Sequence, residues 1–344
     1  MTSATPSQHR PPHPSDHSSQ LRDRAVTQRR YGDSDVLRLE TVDRPRPAKG
    51  EVLLRVHAAG LDRGTWHLMT GRPYVMRLAL GLRAPRDPVV GRDVAGTVVE
   101  VGEGVTRFAA GDEVYGAARG SLAEHAVARE ARLAPKPAGL GWEQAGVVPI
   151  SGLTAIQAVE AARIGPGQRV LVLGASGGVG TYAVQLAVAL GAEVTGVCSA
   201  AKADLVRSLG ATSVLDYRVD DPADGTQQWD VVLDIGGNPS IRRLRRMLTP
   251  TGTAVLVGGE EGGRWTGGIG RSLRAAALSP FLRQRLVMLA SREDGRVLER
   301  LAPHLEAGTV VPAVDSVHPL AEAPAAMRRL EAGEVRGKVA ISVA

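Results

Sequence analysis

The chain has 344 residues, of which 43% are apolar, and a formal net charge of +6. This length is sufficient for two domains with separate cores. The single cysteine, Cys198, excludes a disulfide framework and a zinc site built from several cysteines, and it fits the reducing cytoplasm, where we expect the protein. No run reaches the roughly 18 apolar residues of a membrane span, so we expect no stable membrane insertion.

Half of the net charge comes from residues 1–30, which contain five arginines and two aspartates. Such a basic segment attracts nucleic acid or an anionic membrane in some proteins. Basic clusters that bind single-stranded nucleic acid alternate with aromatic side chains, and the sequence contains no cluster of that kind. We therefore expect a solvated basic segment and no nucleic-acid partner.

The first segment of the chain, residues 1–27, is rich in serine, proline, histidine and arginine. It cannot bury enough apolar surface to fold, which predicts a disordered tail. Short β-rich runs follow, and closely spaced short strands are typical of a small barrel or a partly rolled sheet. The predicted strands are residues 36–40, 51–57, 94–101, 113–116 and 124–126. Helices are predicted next, at residues 142–148 and 153–163.

A βαβ unit is predicted within residues 169–202, and the functional prediction depends on it. The apolar run at 170–173 predicts a strand, and apolar residues at helical spacing over 179–190 predict a helix. Residues 193–197 predict a second strand. A strand, a glycine-rich turn, a helix and a second strand are the context that a dinucleotide-binding turn requires.

The turn of this unit has the spacing G-x-x-G-x-x-G, formed by Gly174, Gly177 and Gly180. Glycine lets a pyrophosphate approach the backbone N–H groups at the helix N-terminus, and a larger residue at Gly180 would push the helix off the strand. Glycines also serve ordinary tight turns, but their place between strand and helix favours a cofactor site. The predicted cofactor contacts are Ala175, Ser176, Gly177, Gly178 and Val179.

Strands and helices continue to alternate beyond residue 202, which predicts an α/β fold with a parallel, doubly wound sheet. The predicted strands are residues 213–216, 230–234 and 253–257, and the predicted helices are 202–209 and 240–248. Ligands bind at the carboxyl ends of such strands. We therefore predict cofactor contacts at Gly236, Val257 and Gly258, although glycine pairs at these ends also fit simple turns.

Residues 260–283 interrupt the alternation with a glycine-rich stretch and an amphipathic segment that contains several arginines. The segment fits a lid, an oligomer contact or a membrane-facing surface, and an ordinary surface helix is the simplest interpretation. The remaining predicted elements are a strand at 284–290, a helix at 295–307, a strand at 310–315, a helix at 321–331 and a strand at 338–343.

The residues that follow the second strand of the βαβ unit predict the cofactor. NAD sites commonly place Asp or Glu about twenty residues beyond the turn, but residues 198–202 are Cys-Ser-Ala-Ala-Lys. A carboxylate would repel a 2′-phosphate, whereas a hydroxyl and an ammonium bind one. We therefore predict NADPH, with Ser199 and Lys202 on the phosphate; the alternative for Lys202 is a solvated residue in the first helical turn.

Several motifs together indicate a family. They are GRDVAGTVVEVGEGVTRFAAGDEVYG, SGLTAIQAV, GASGGVGTYAVQLA, CSAAKADLVRSLGA, LDIGGN and the terminal RGKVAISV. The chain resembles the medium-chain dehydrogenase/reductase superfamily over residues 25–344. Within it, the chain is similar to the zinc-independent branch around quinone oxidoreductases, often labelled NAD(P)-dependent alcohol dehydrogenase.

The resemblance implies a GroES-like, β-rich substrate domain formed by residues 28–152 and 309–344. It implies an inserted Rossmann domain at 153–308 that binds NADPH, and a homodimer formed through the edge strand near 284–290. The family's NADPH-dependent members use the positions of Ser199 and Lys202.

Further site residues follow from the resemblance. Thr154 matches a position close to the nicotinamide, and Tyr217 matches one near the phosphate or adenosine end. Lys338, in the terminal Gly-Lys pair, is expected to approach the cofactor from the rejoined domain. Asp62, Trp66 and Tyr74 are predicted to line the substrate pocket.

Asp62 departs from the family pattern, which often has asparagine at this position. An ionised carboxylate would repel a carbonyl oxygen, so we expect Asp62 to pair with Arg63 or to remain protonated. Catalytic zinc in metal-bearing relatives requires a thiolate, and the matching loop, residues 59–63, has no cysteine. We predict no metal, and we expect His57, His67 and His125 to be structural.

The resemblance implies hydride transfer from NADPH to an electrophilic small molecule, either a quinone or another activated carbonyl compound. One alternative is reduction of the double bond of an enone or an enoyl thioester. An alternative of another class is a protein on the same scaffold that binds NADPH or nucleic acid without turnover.

Overall fold

The structure, a computed structural model, describes residues 21–237, 239–259 and 263–343. Its strands are β1 (Arg22–Thr27), β2 (Arg38–Asp43), β3 (Glu51–Leu61), β4 (Asp93–Val101), β5 (Glu113–Ala117), β6 (His125–Arg129), β7 (Leu133–Pro135), β8 (Arg169–Leu173), β9 (Glu193–Cys198), β10 (Ser213–Asp216), β11 (Trp229–Asp234), β12 (Leu248–Leu256), β13 (Arg285–Met288), β14 (Val314–Pro319) and β15 (Lys338–Ser342).

Its helices are α1 (Arg63–Thr70), α2 (Arg77–Leu80), α3 (Trp142–Gly146), α4 (Pro149–Ala162), α5 (Gly178–Ala189), α6 (Ala203–Ser208), α7 (Ile241–Met247), α8 (Ile269–Leu278), α9 (Gly295–Glu306) and α10 (Ala323–Glu331). Within the described ranges, none of these helices combines the length and the apolar character needed to cross a bilayer.

One sheet of the described chain consists of parallel strands in the order β10-β9-β8-β11-β12-β13. Numbered along the chain, this is the order 3-2-1-4-5-6 of a doubly wound sheet. Neighbouring residues of β8 enter different cores: Val170 and Val172 belong to one buried cluster, Leu171 and Leu173 to another. Both faces of the sheet are therefore covered, which is why β8 is a continuous apolar run.

The second sheet has the order β14-β15-β3-β4-β5-β7, and β6 also pairs with β3. The last strand, β15, returns to lie antiparallel to β3, where Val339 pairs with Leu61. On the other side of β3, Gly60 pairs with Asp93, the first residue of β4. These registers bring the start of β15, the end of β3 and the start of β4 together. The prediction of a β-rich domain beside a doubly wound sheet is confirmed.

The prediction of a disordered tail over residues 1–27 is wrong at its end. Residues 1–20 lie outside the described residues, but Arg22–Thr27 forms β1 and pairs with β2. Ala25 and Val26 are fully buried. Two buried apolar side chains and a backbone ladder thus order a segment whose composition alone predicted disorder.

Two predicted strands begin later than expected. The run at 36–40 becomes strand only from Arg38, because the chain first forms a short helical turn that Asp33 caps. The run at 310–315 becomes strand from Val314. Pro312 has no N–H for a ladder, so the chain before β14 is irregular.

Candidate active site

Four glycines shape the turn between β8 and α5, and each has a separate reason. Gly174 has a φ of +83°, a backbone conformation that favours glycine. A Cβ on Gly180 would overlap the carbonyl oxygen of Gly174, so glycine there lets the helix pack on the turn, as predicted. A Cβ on Gly178 would lie 2.9 Å from Cδ of Lys338. Gly177 differs from the other three, because a Cβ there would meet nothing nearer than the Gly174 oxygen at 3.5 Å.

The N-terminus of α5 fits the pyrophosphate of a dinucleotide. The helix begins at Gly178, directly after the extended residue Gly177, and no side chain caps it. The first N–H groups of a helix, here including that of Val179, have no partner within the helix and can bind a phosphate. Ala175 is fully buried, and the carbonyl oxygen of Ser176 accepts from the N–H of Gly337 at 2.9 Å. These last two residues therefore shape the turn through their backbone.

Ser199, Lys202 and Tyr217 lie together at the carboxyl end of β9 and β10. Ser199 is buried directly after β9, and the N–H of Tyr217 donates to the carbonyl oxygen of Cys198 at 3.2 Å. The Lys202 Nζ donates to the carbonyl oxygens of Gly333 and Val335, at 2.7 Å each. Burial lowers the pKa of Lys202. The predicted ribose-phosphate residues thus share one end of the sheet edge, and the C-terminal segment holds the ammonium there.

The cofactor contacts predicted after β11 and β12 lie at the other end of the same edge. The N–H of Gly236 donates to the carbonyl oxygen of Leu173 at 3.1 Å, which joins the ends of β8 and β11. The N–H groups of Val257 and Gly258 donate to the carbonyl oxygen of Asp234, at 2.9 and 3.2 Å. This places the residues that follow β12 beside the end of β11.

Thr154 stands beside this end of the edge, on α4. Its hydroxyl donates to the carbonyl oxygen of Ile150 at 2.7 Å and lies 3.1 Å from the hydroxyl of Ser291. The side-chain amide of Gln157 donates to the Ser291 hydroxyl and to the carbonyl oxygen of Arg292. Ser291 was not predicted; its place shortly after a strand end is a signal that a search for hydroxyls at strand ends would have found.

A buried ion cluster lies where β3, β4 and β15 meet. The Lys338 Nζ bonds the Asp93 carboxylate at 2.6 Å and the Asp62 carboxylate at 3.3 Å, and all three side chains are buried. The other oxygen of Asp93 accepts from the N–H of Ile150 at 2.6 Å, at the start of α4. The stem of Lys338 passes the N-terminus of α5 near Gly178. The cluster therefore ties the β-rich sheet to the helices that flank the glycine turn.

The charges of this cluster are unequal because two carboxylates share one ammonium. Burial, together with the negative charge of Asp62, raises the pKa of Asp93 to about 7, although Lys338 opposes the shift. Burial also disfavours an ionised Asp62, but Lys338 and hydrogen bonds from Thr65 outweigh it and lower the pKa of Asp62. Burial disfavours the ammonium of Lys338, yet the two carboxylates raise its pKa above the ordinary value. Asp62 is thus the carboxylate that stays ionised.

Comparison with known proteins agrees with this architecture. The family described as "Alcohol dehydrogenase GroES-like domain" matches residues 48–138, and "Zinc-binding dehydrogenase" matches residues 209–341. The chloroplast envelope quinone oxidoreductase homolog of Arabidopsis thaliana is 33% identical over 313 residues, which cover 86% of this chain and 91% of that protein. The chain belongs to the medium-chain dehydrogenase/reductase superfamily, in its quinone oxidoreductase-like branch.

Two further proteins extend the comparison. The 2-methylene-furan-3-one reductase of Solanum lycopersicum is 32% identical over 326 residues, which cover 90% of this chain and 76% of that protein. The solved structure of mycobacterial Rv1454c complexed with NADPH has a TM-score of 0.79 at 27% identity, and the match covers 93% of this chain and 99% of that one. The names of these relatives support an oxidoreductase that uses a nicotinamide cofactor.

In this quinone oxidoreductase-like chain, the expectation that Asp62 pairs with Arg63 or remains protonated is wrong. Its partner is Lys338, and its pKa is lowered. The other carboxylate oxygen caps α1 by accepting from the N–H of Thr65 at 2.8 Å. The β3–β15 register places Lys338 beside the end of β3, a proximity that local sequence does not reveal.

The other two predicted pocket residues have different surroundings. The indole N–H of Trp66 donates to a carboxylate oxygen of Glu331 at 3.1 Å, which ties α1 to α10. Tyr74 begins a short 3-10 helical turn after α1, and its ring meets that of Trp265 edge to face at 5.5 Å between centroids. Trp265 was not predicted, because its segment carried no motif.

The three histidines that we expect to be structural contact other parts of the fold. His57 stacks on Trp142 at 4.1 Å, and His125 lies 3.2 Å from the Asp23 carboxylate. His67 contacts the carbonyl oxygen of Arg72 at 2.9 Å. In the part of the chain that the structure describes, no three or more His, Cys, Asp or Glu side chains are grouped to hold a metal ion.

Proposed function

We propose that the protein is a zinc-independent, NADPH-dependent oxidoreductase that transfers a hydride to a quinone or another activated carbonyl compound. The observation that carries the proposal is the continuous row of predicted cofactor residues along one sheet edge. It runs from Tyr217 and Ser199, past Gly177, to Gly258 and Thr154. A dinucleotide requires this order, with a ribose site at one end, an anion site in the middle and a reactive site at the other end.

The ribose end supports NADPH rather than NADH. Ser199 stands where an NAD site commonly has a carboxylate, and Lys202 lies in the turn that follows. An ammonium has three donors, and two of those on Lys202 bond carbonyl oxygens. The third is left for a 2′-phosphate oxygen, as a charge-assisted hydrogen bond.

The buried ion cluster supports independence from zinc. Asp62 lies in the loop that matches the one carrying a zinc ligand in metal-bearing relatives. Its carboxylate and that of Asp93 both bond the Lys338 ammonium. A divalent cation at this place would have to displace a buried positive charge, so the donor set does not fit a metal.

The chemistry divides between the cofactor and the chain. Bound NADPH would supply the hydride that reduces the acceptor carbon. The α5 N-terminus would bind the pyrophosphate, and Lys202 would hold the 2′-phosphate at the ribose end. Thr154 and Ser291 offer hydroxyl groups at the nicotinamide end. The Lys338 cluster fixes the start of α1, and water supplies the proton.

A second candidate is reduction of an enone double bond, which the name of the tomato relative favours. Both reactions use the same cofactor row and differ in the acceptor. NADPH oxidation measured with quinones, enones and simple aldehydes separates them. NADPH binding without turnover of any acceptor would overturn both and leave a cofactor-binding protein.

Substitution of Lys202 by alanine is expected to weaken NADPH binding by about tenfold to a hundredfold, since one hydrogen bond to a charged group contributes about 1.5–3 kcal/mol. NADH, which lacks the 2′-phosphate, should be affected far less. Equilibrium titration of both dinucleotides with each protein measures the ratio of the two dissociation constants.

The ratio separates phosphate recognition from a packing effect. Loss of the hydrogen bonds to Gly333 and Val335 would loosen the C-terminal segment, and this would weaken the binding of both dinucleotides equally. Lys49→Ala is the matched control, because Lys49 is an exposed lysine paired with Glu103. An unchanged NADPH-to-NADH ratio in Lys202→Ala would contradict the assignment.

We also propose the domain division 28–152 with 309–344, and 153–308, and a homodimer formed through β13. Within the described residues β13 ends the parallel sheet, so one side of its backbone faces no further strand. A cytoplasmic location stays a prediction.

A further inference from the structure

The segment that interrupts the alternation of strands and helices joins the two halves of the molecule. Residues 260–262 lie outside the described residues, but residues 263–268 are placed. The N–H of Tyr74 donates to the carbonyl oxygen of Arg264 at 2.8 Å, and that of Val75 to Trp265 at 3.0 Å. The backbone of Gly267 also lies against Pro73, to which a Cβ would approach within 3.0 Å. Backbone hydrogen bonds and the aromatic pair of Tyr74 and Trp265 therefore form this junction.

The same segment is fixed to the parallel sheet by Arg271, on the first turn of α8. Its guanidinium bonds the fully buried Asp234 carboxylate at 2.5 Å. It also donates to the carbonyl oxygens of Pro239 and Gly258, at 3.0 Å each. Arg271 therefore connects α8 to the residues that follow β11 and β12. An ion pair this buried holds its segment in one place, because separating the charges leaves a carboxylate without a partner.

These contacts lie at the end of the sheet edge where the proposed function places hydride transfer. Asp234 ends β11 and Gly258 follows β12, the fourth and fifth strands of the doubly wound order. The phosphate-binding Ser199 follows the second strand, on the other side of the glycine turn. A dinucleotide that crosses the edge from the second strand has its nicotinamide near the fourth and fifth. Residues 263–268 are thus beside the acceptor, opposite the ribose end.

The aromatic pair presents apolar surface at this place. Trp265 is 75% exposed even though its ring meets that of Tyr74. Tyr74 in turn is covered on one side by the Arg77 guanidinium, 4.5 Å from its ring centroid. Ile269, the first residue of α8, and Leu273, one turn later, are also exposed. An indole and a phenol held by backbone bonds offer a preformed surface for a flat π system, since aromatic rings pair in stacked or edge-to-face geometry.

We propose that Tyr74 and Trp265 form an aromatic wall beside the nicotinamide end that selects flat, conjugated acceptors such as naphthoquinones over small aliphatic carbonyl compounds. The inference rests on the proposed function and names its substrate class. Trp265 is the specificity-determining residue in this assignment, and Arg271 fixes the start of the neighbouring α8 to the parallel sheet.

The test compares two acceptors in wild type and Trp265→Ala. The expected result is about a tenfold loss of kcat/KM for 1,4-naphthoquinone, the scale of one lost aromatic pair, and less than about a twofold change for propanal. Trp265→Phe retains a ring and should keep most of the naphthoquinone activity. Phe281→Ala is the matched control, because Phe281 is 85% exposed and follows the same helix. Equal losses of kcat/KM for both acceptors in Trp265→Ala would contradict the proposal of an aromatic wall.

Binding separates failure of the wall from failure of the proposed function. Naphthoquinone titrated without NADPH should quench tryptophan fluorescence in the wild type and quench it less in Trp265→Phe. Quenching of this kind without any turnover would contradict the oxidoreductase and support the wall. Turnover of naphthoquinone with identical quenching in both proteins would contradict the wall and support the oxidoreductase.

Discussion

Replacement of Lys338 by methionine is expected to lower the free energy of unfolding by about 3–5 kcal/mol, the usual effect of removing one partner from a buried ion pair. Methionine fills the space of the lysine stem beside Gly178, so little packing is lost. The loss comes from Asp62 and Asp93, which stay buried without a counter-charge. Urea denaturation of wild type and variant at one pH measures it.

The loss should depend on pH with a definite sign. Without the ammonium, the pKa values of both carboxyl groups rise in the folded state, so the folded protein binds more protons than the unfolded chain. The free energy of unfolding of the variant then falls as pH rises from the ordinary carboxyl pKa to the raised pKa of the folded state, and it recovers as pH falls. The difference from wild type should be larger at about pH 8 than at about pH 6.

In the wild type, Asp93 by itself gives a pH dependence of stability with the same sign. Its folded pKa of about 7 lies above the ordinary 3.8, so the contribution of Asp93 to stability decreases as pH rises between those values and is constant above them. Asp62 acts in the opposite direction, because its pKa is lowered. Its contribution is present above the ordinary pKa and is lost as pH falls through the folded value.

Two variants show whether charge causes the effect. Lys49→Met removes an exposed lysine that pairs with Glu103, and its loss should stay below about 1 kcal/mol. Asp93→Asn in the Lys338→Met background removes one uncompensated charge and should restore at least about 1 kcal/mol. A Lys338→Met protein as stable as Lys49→Met at both pH values would show that the cluster does not hold the β-rich sheet to the helices that flank the glycine turn.

The glycine turn and its helix could be predicted because their signals are local. A short apolar run, glycines at fixed spacing and a helical repeat occur within about thirty residues, and each depends on neighbours along the chain. The alternation of strands and helices likewise predicted the doubly wound sheet, since it limits the order of strands. These parts of the fold needed no knowledge of distant contacts.

The ion cluster could not be predicted because its members are far apart in sequence. Lys338 and Asp62 are separated by 276 residues, and only the register of β15 on β3 brings them together. The nearest charge along the chain, Arg63, was therefore the wrong partner. The same reason applies to Tyr74 and Trp265, which meet through backbone bonds between segments that are far apart in sequence. The absence of a cysteine from residues 59–63 gives no indication that a lysine so distant along the chain lies beside Asp62.

The second large effect is expected from Gly177→Ala, which should weaken dinucleotide binding by about tenfold to a hundredfold and leave stability nearly unchanged. The backbone of Gly177 is extended, with φ of −87°, which alanine adopts without strain. The added Cβ meets no atom nearer than 3.5 Å in the folded chain. It occupies the approach of the pyrophosphate to the α5 N–H groups, and a lost hydrogen bond to a charged group contributes about 1.5–3 kcal/mol. Titration calorimetry with NADPH and urea denaturation measure the two quantities.

Gly180→Ala is the matched comparison, because the same methyl group is added one helical turn away with the opposite expectation. Its Cβ overlaps the carbonyl oxygen of Gly174, so the helix has to move off the turn, and overpacking of this kind reduces stability by about 1–3 kcal/mol. Binding then weakens only as a consequence of the displaced helix. The two variants thus separate a glycine kept for the ligand from one kept for the fold. If Gly177→Ala binds NADPH as the wild type does, the pyrophosphate does not lie on this turn. The row of cofactor residues would then have no anion site in its middle, which would contradict the proposed binding mode.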